Sequence, residues 1–113
     1  MLRHLKLSLL VILALVIQIS APPQPQTAKD FFDKGLLLMK EQKFSEALDA
    51  FRQSARLDPS HPATHANIGA ALVALNRIDE SIPPFREAVR LVPAEASFRL
   101  ALCQSLSLTR NAG

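Results

Sequence analysis

Two histidines and one thiol are the side chains whose type and spacing could do chemistry. His61 and His65 stand four residues apart, a spacing that presents two imidazoles to a single metal ion on a helix. No nearby cysteine or carboxylate set completes such a site, and His65 falls at a packing position, so no metal is expected. Cys103 is the chain's one cysteine, which excludes an intramolecular disulfide. In an oxidising compartment it could pair between chains, although a small buried helical residue is the simpler expectation. No base accompanies it in the sequence, and the serines lie in caps, loops or helices without a nucleophile motif. A glycine-rich phosphate loop is also absent. These residues point away from an enzyme and from any cofactor.

Composition narrows the class further. Of the 113 residues 49% are apolar, yet there is no Trp, no Tyr and only three Gly. Such a profile suits packed helices better than sheets, which favour aromatic and β-branched residues. The formal charge of +3 includes Arg3 and Lys6 at the extreme N-terminus; the remainder carries 11 basic and 10 acidic side chains. Nucleic-acid binders show a basic stripe interleaved with stacking aromatics. This chain does not, and nucleic acid is not an expected partner.

The first residues read as a targeting segment. Arg3, His4 and Lys6 precede Leu7 to Ile19, an apolar run interrupted only by Ser8 and Gln18. As a helix this run would span about 20 Å, short of the ~30 Å hydrocarbon core. Basic-then-apolar order fits a secretory signal. Ala21 could end a cleaved signal, but Pro22 would come after the cut unfavourably, so an uncleaved signal-anchor at 1–21 stands beside it; a buried first helix is the third reading. Either of the first two places the rest at the cell envelope, secreted or periplasmic, or anchored there. Membrane contact is then expected only through 1–21, if uncleaved. Pro22, Pro23 and Pro25 make 22–27 an extended Pro/Gln-rich linker.

A period of 34 residues organises the chain from 28 to 113. Shifted by 34, Gly35 meets Gly69, Leu38 meets Leu72, Glu46 meets Glu80 and Phe51 meets Phe85. Arg52, Arg56, Leu57 and Pro59 likewise meet Arg86, Arg90, Leu91 and Pro93. Composition alone would give about two such coincidences, so these eight mark a repeat. Thr27 can cap a first helix with Asp30 in its first turn, running to about Gln42. Ser45 can cap a second, which ends before Pro59. Pro62 suits the first turn of a third, closed near Asn76. A fourth holds Phe85, Ala88 and Leu91. Pro83 and Pro84 predict that its regular part begins nearer Ser81 or kinks there. The fifth runs from about Glu95 to Thr109. Nothing in 27–113 alternates with a period of two, so the array is all-α.

The motif Phe31-x-x-Lys34-Gly35-x-x-Leu38, then Ala47-x-x-x-Phe51 and Pro59, resembles the tetratricopeptide repeat. It returns as His65-x-x-Ile68-Gly69-x-x-Leu72, Ser81-x-x-x-Phe85 and Pro93, and begins again at Arg99-x-x-Leu102-Cys103-x-x-Leu106. The resemblance implies an all-α solenoid of tetratricopeptide-type helical hairpins, about two and a half repeats, preceded by the N-terminal hydrophobic helix. Its units would be 28–61, 62–95 and a partial or capping third at 96–113. Gly35 and Gly69 would let paired helices approach, with Phe51 and Phe85 filling space between successive hairpins. Lys34, His65 and Arg99 depart from the family pattern.

Function is then implied by the family's concave face, which binds a protein or peptide partner. Matching positions here are Phe32, Leu36, Met39 and Lys40, then Ala66, Asn67, Ala70, Val73 and Ala74, then Gln104 and Ser107. The implied groove is mostly apolar, with Asn67 as a polar handle for a peptide backbone. Relatives that clamp a terminal carboxylate use a Lys, Asn and Arg set, of which only Asn67 matches, so that ligand class is not expected. The leading expectation is a scaffold or assembly adaptor. An alternative is the N-terminal fragment of a longer exported protein, since Gly113 falls in register where the third repeat's second helix would begin.

Overall fold

The computed structural model describes residues 26–112 and the isolated positions Ser8 and Val11. Apart from those two positions, the targeting segment expected at 1–21 and most of the linker lie outside the described residues. Among the described residues five helices succeed one another: α1 Ala28–Lys40, α2 Phe44–Leu57, α3 Pro62–Ala74, α4 Ile78–Leu91 and α5 Ala96–Ala112. Helices α1 and α2 pack as one hairpin and α3 and α4 as the next; α2 meets α3, and α4 meets α5. The described residues contain no strand. Among them, no helix is long and apolar enough to cross a membrane.

Local chemistry sets the helix ends. At α1 the Thr27 hydroxyl accepts from the Asp30 N–H at 3.1 Å, while the Thr27 N–H donates to Asp30 Oδ2 at 2.9 Å. This reciprocal capping box satisfies two otherwise orphan donors. It also holds the Asp30 carboxyl below its ordinary range, the Thr27 N–H being the main cause. Ser45 does not cap α2: that helix starts at Phe44 from Lys43, with no side-chain cap bond. Pro62 occupies the first turn of α3, where its missing N–H costs nothing.

Both hairpin turns use one device. Gln42 and Asn76, 34 apart, adopt left-handed backbone with φ of 61° and 60°. Lys43 N–H bonds the Leu38 carbonyl and Gln42 N–H that of Met39; Arg77 and Asn76 repeat the pattern onto Leu72 and Val73. These are Schellman closures built without glycine, and they turn α2 and α4 back along their partners.

The fourth helix corrects the expected start nearer Ser81. It starts at Ile78 and carries Pro83 and Pro84 within it. Only the carbonyls of Asp79 and Glu80 lose their usual i+4 donors, because proline has no N–H. Both residues are exposed or partly so, so water can replace those donors.

The core runs along the hairpin seams. Leu48, Ala50, Phe51, Ala71 and Leu72 are almost fully buried, joined by Leu38, Ala47 and Ile68. Glycine sets the closest approach. A Cβ on Gly35 would lie 2.5 Å from Cε1 of Phe51, and one on Gly69 would lie 2.7 Å from Cε1 of Phe85. Each ring thus sits over the glycine of its own hairpin, rather than only filling space between hairpins as expected. Burying a Phe at such a seam contributes about 2 kcal/mol.

Small buried residues space the helices elsewhere. The Ser54 hydroxyl donates to the Ala28 carbonyl across the first hairpin at 2.7 Å. Ser81 donates to the Ile78 carbonyl, and its oxygen pairs with the Ser105 hydroxyl at 3.1 Å, joining α4 to α5. Thirty-four residues earlier the same two positions are Ala47 and Ala71, both fully buried.

Candidate protein-binding groove

Helices α3 and α5 flank a cleft of about 450 Å³, floored in part by Phe85 of α4. From α3 it takes Ala66, Asn67, Ala70 and Val73, and from α5 it takes Gln104. Five of the eleven anticipated groove residues therefore converge. They do so because α3 and α5 are successive inner helices of the repeat, and positions 66, 70 and 73 recur on one face. Among the described residues no Asp, Glu, Lys or Arg lines the cleft. Its polar groups are amides and hydroxyls, so it suits an uncharged segment.

Asn67 is already partly engaged. Its Nδ2 donates to the Ala63 carbonyl one turn back at 2.8 Å. That bond leaves Oδ1 as an acceptor and the second Nδ2 hydrogen as a donor.

Ala74 and Ser107 do not line this cleft, and Phe32, Leu36, Met39 and Lys40 stand apart from it. Phe32 lines a separate hollow of about 350 Å³ with Lys29, Asp33, Ser54, Asp58 and His61. Its ring packs edge-on to His61 at 5.0 Å and tilted to Phe51 at 5.8 Å. Met39 is half-buried against the core. Leu36 is 42% exposed, and Lys40 is exposed in the last turn of α1. The apolar stripe is therefore split in two.

Phe98 and Leu108 also line the cleft, with Ala101 and Ser97 between α5 and its neighbours. Phe98 and Leu108 were not anticipated as groove residues. Phe98 is the only aromatic of α5 and lies in its first turn, a signal that was available but gave no direction.

The histidines turn to separate tasks. His61 Nδ1 shares a 2.8 Å hydrogen bond with the buried Thr64 hydroxyl, while His65 Nε2 donates to the Pro59 carbonyl at 2.7 Å. Arg99 makes the equivalent bond one repeat later, from Nη1 to the Pro93 carbonyl at 3.2 Å. Both residues replace the family's large aromatic and tie the preceding turn to the inner helix. Among the described residues no group of three His, Cys, Asp or Glu is placed to hold a metal ion. Cys103 is exposed, not buried as anticipated.

Comparison with known proteins agrees with this geometry. The family model described as "Tetratricopeptide repeat" matches residues 32–96. A TPR repeat-containing thioredoxin of Arabidopsis thaliana (TTL4) is 36% identical over 69 residues, covering 59% of this chain and 10% of that protein. The Protein STIP1 homolog of Dictyostelium discoideum is 28% identical over 68 residues, covering 60% and 12% respectively. Among solved structures, MamA of AMB-1 superposes with a TM-score of 0.70 at 28% identity, covering 75% of this chain and 46% of its own. The Sgt2 TPR domain of Aspergillus fumigatus gives 0.66 at 21% identity, covering 76% and 56%, a likeness of fold alone. The chain thus spans about a tenth of these sequence relatives and about half of these solved chains.

Proposed function

Because the chain belongs to the tetratricopeptide-repeat family, we propose that it is a non-enzymatic scaffold or assembly adaptor that holds an uncharged, apolar peptide or helix of a protein partner in the α3–α5 cleft. The observation that carries this reading is the cleft itself: apolar walls from Ala66, Ala70, Val73 and Phe98, no charge among its described lining residues, and Asn67 Oδ1 as an acceptor. A ligand of this kind is recognised by area and by a few backbone bonds, the usual logic of helix-in-groove and extended-peptide recognition. We further propose that the scaffold works at the cell envelope, exported or membrane-tethered. Arg3, His4 and Lys6 before the apolar run Leu7–Ile19 support that part.

Selection of peptides from a random library on the full chain tests the binding. Enrichment of uncharged sequences, with capture reduced about tenfold by Val73→Glu and several-fold by Asn67→Ala, is the expected result. Enrichment of charged sequences, or capture indifferent to Val73→Glu, would sink the groove assignment. Fusing residues 1–27 to a reporter active only outside the cytosol tests the location, and a silent fusion would end it.

A further inference from the structure

Phe51 and Phe85 hold the same place in successive repeats, yet their surroundings differ by one ring. In the first hairpin Phe32 of α1 leans on Phe51, with ring centroids 5.8 Å apart and planes tilted by 57°. Phe51 is 0% exposed. In α3 the residue in register with Phe32 is Ala66. Among the described residues no ring pairs with Phe85, which is 5% exposed and floors the cleft. Leu36 and Met39 of α1 are likewise answered by Ala70 and Val73, both lining the cleft. Helix α3 therefore lacks the bulk that α1 supplies for itself. On the opposite wall Phe98 also has no aromatic partner among the described residues. Glu95, in register with His61, does not line the cleft, and its carboxylate accepts from the Ser97 N–H and hydroxyl.

We propose that the cleft selects its partner by one aromatic side chain, seated on Phe85 as Phe32 is seated on Phe51, within an otherwise uncharged segment. This rests on the assignment of the α3–α5 cleft as the binding groove and adds the residue that anchors the ligand. Ala66 and Ala70 set the specificity, by leaving empty what Phe32 and Leu36 fill one repeat earlier. A tilted ring pair adds to plain burial, so an aromatic is preferred over a leucine. The anchor comes from a different protein. The chain has no Trp or Tyr, and all six of its Phe are buried or half-buried. Neither a second copy nor the segment before α1, which contains no aromatic, can supply the ring.

The test is fluorescence anisotropy on the full chain with uncharged peptides of about twelve residues that differ only in a central Phe, Leu or Ala. The Phe form is expected to bind about tenfold more tightly than the Ala form and several-fold more tightly than the Leu form. Ala66→Phe supplies the missing ring in cis and should erase that preference, with helicity retained by circular dichroism. Intermolecular NOEs from the peptide ring to Phe85 locate the contact in the unsubstituted chain. Equal affinity for the Phe and Leu forms, with capture still reduced by Val73→Glu, overturns the aromatic anchor and leaves the groove standing. Affinities indifferent to Val73→Glu overturn both. An undiminished Phe preference in folded Ala66→Phe, or NOEs that bypass Phe85, also overturns the anchor.

Discussion

At the level of single residues, the closest constraint is the glycine beneath each phenylalanine. Gly35 and Gly69 lie within helices and have ordinary backbone, so their role is space and not conformational freedom. Gly35→Ala gains roughly 1 kcal/mol of helix propensity but forces a methyl into the Phe51 ring, an overpacking that costs about 1–3 kcal/mol. Because the obstructing ring is itself buried in the seam, overpacking should win. The expected outcome is a lower urea midpoint for Gly35→Ala, with the double change Gly35→Ala/Phe51→Leu recovering part of the loss. An unchanged midpoint would mean that the seam relaxes freely. The capping box yields a second prediction. Asp30 is depressed in the folded state by the Thr27 N–H, and Asp58, Glu87 and Glu95 are held down by Ser60, Arg90 and Ser97. A carboxyl with a depressed folded pKa adds stability that is fully present above its unfolded value. That stability disappears as pH falls through the folded value. Melting temperature should therefore fall as pH drops below about 4, and Asp30→Asn should flatten that slope. A parallel slope in the variant would remove Asp30 from the account.

Among the helices, the two inter-hairpin contacts solve one packing problem with different atoms. Ala47 and Ala71 space α2 from α3; Ser81 and Ser105 stand at the same positions between α4 and α5 and bond to each other at 3.1 Å. Removing Ser105's hydroxyl leaves Ser81 still bonded to the Ile78 carbonyl, so Ser105→Ala should cost under about 1 kcal/mol. Ser81→Ala instead strands the buried Ser105 hydroxyl and should cost about 1–3 kcal/mol. The double alanine variant restores the chemistry of the first contact and should lie near wild type. A double-mutant cycle by chemical denaturation checks this non-additivity; strict additivity would show that the pair is not coupled. The inner-helix turns obey the same logic of substitution. Where the family places an aromatic, His65 and Arg99 reach back to the carbonyls of Pro59 and Pro93, replacing packing with a polar tie.

Across the whole molecule, each helix of a solenoid is stabilised only by its neighbours. Helices α2 and α3 are flanked on both sides, whereas α5 packs chiefly on α4 and exposes Leu100, Leu106 and Leu108. Stability should therefore decline towards α5. Native-state hydrogen exchange is expected to show the slowest amides around Ala47–Phe51 and Ile68–Leu72. Exchange should be fastest in the second half of α5. Uniform protection across all five helices would mean one cooperative unit instead.

The repeat and most of its boundaries are legible in the chain before it folds. A 34-residue period, helix-favouring composition, Thr27 with Asp30, and Pro59, Pro62 and Pro93 act within a turn or two of chain, so their consequences are local. The same holds for Ala66, Asn67, Ala70 and Val73, whose shared face is a matter of helical spacing alone. Misreadings arose where a local rule met a tertiary choice. Ser45 lost its cap role because the chain enters α2 from Lys43, and the prolines of α4 are accommodated because the carbonyls they leave unbonded can reach water. Which apolar side chains form one cleft was settled by helix packing. Phe98 and Leu108 join Val73 there because α5 crosses α4 at the Ser81–Ser105 contact. Phe32 went instead to the hollow beside His61. Cys103 and Leu106 stand outside because none of the described helices covers that face of α5. Such outcomes depend on the angle and distance between helices. Those are set by pairs such as Gly35 with Phe51, far apart in sequence and joined only when the chain has folded.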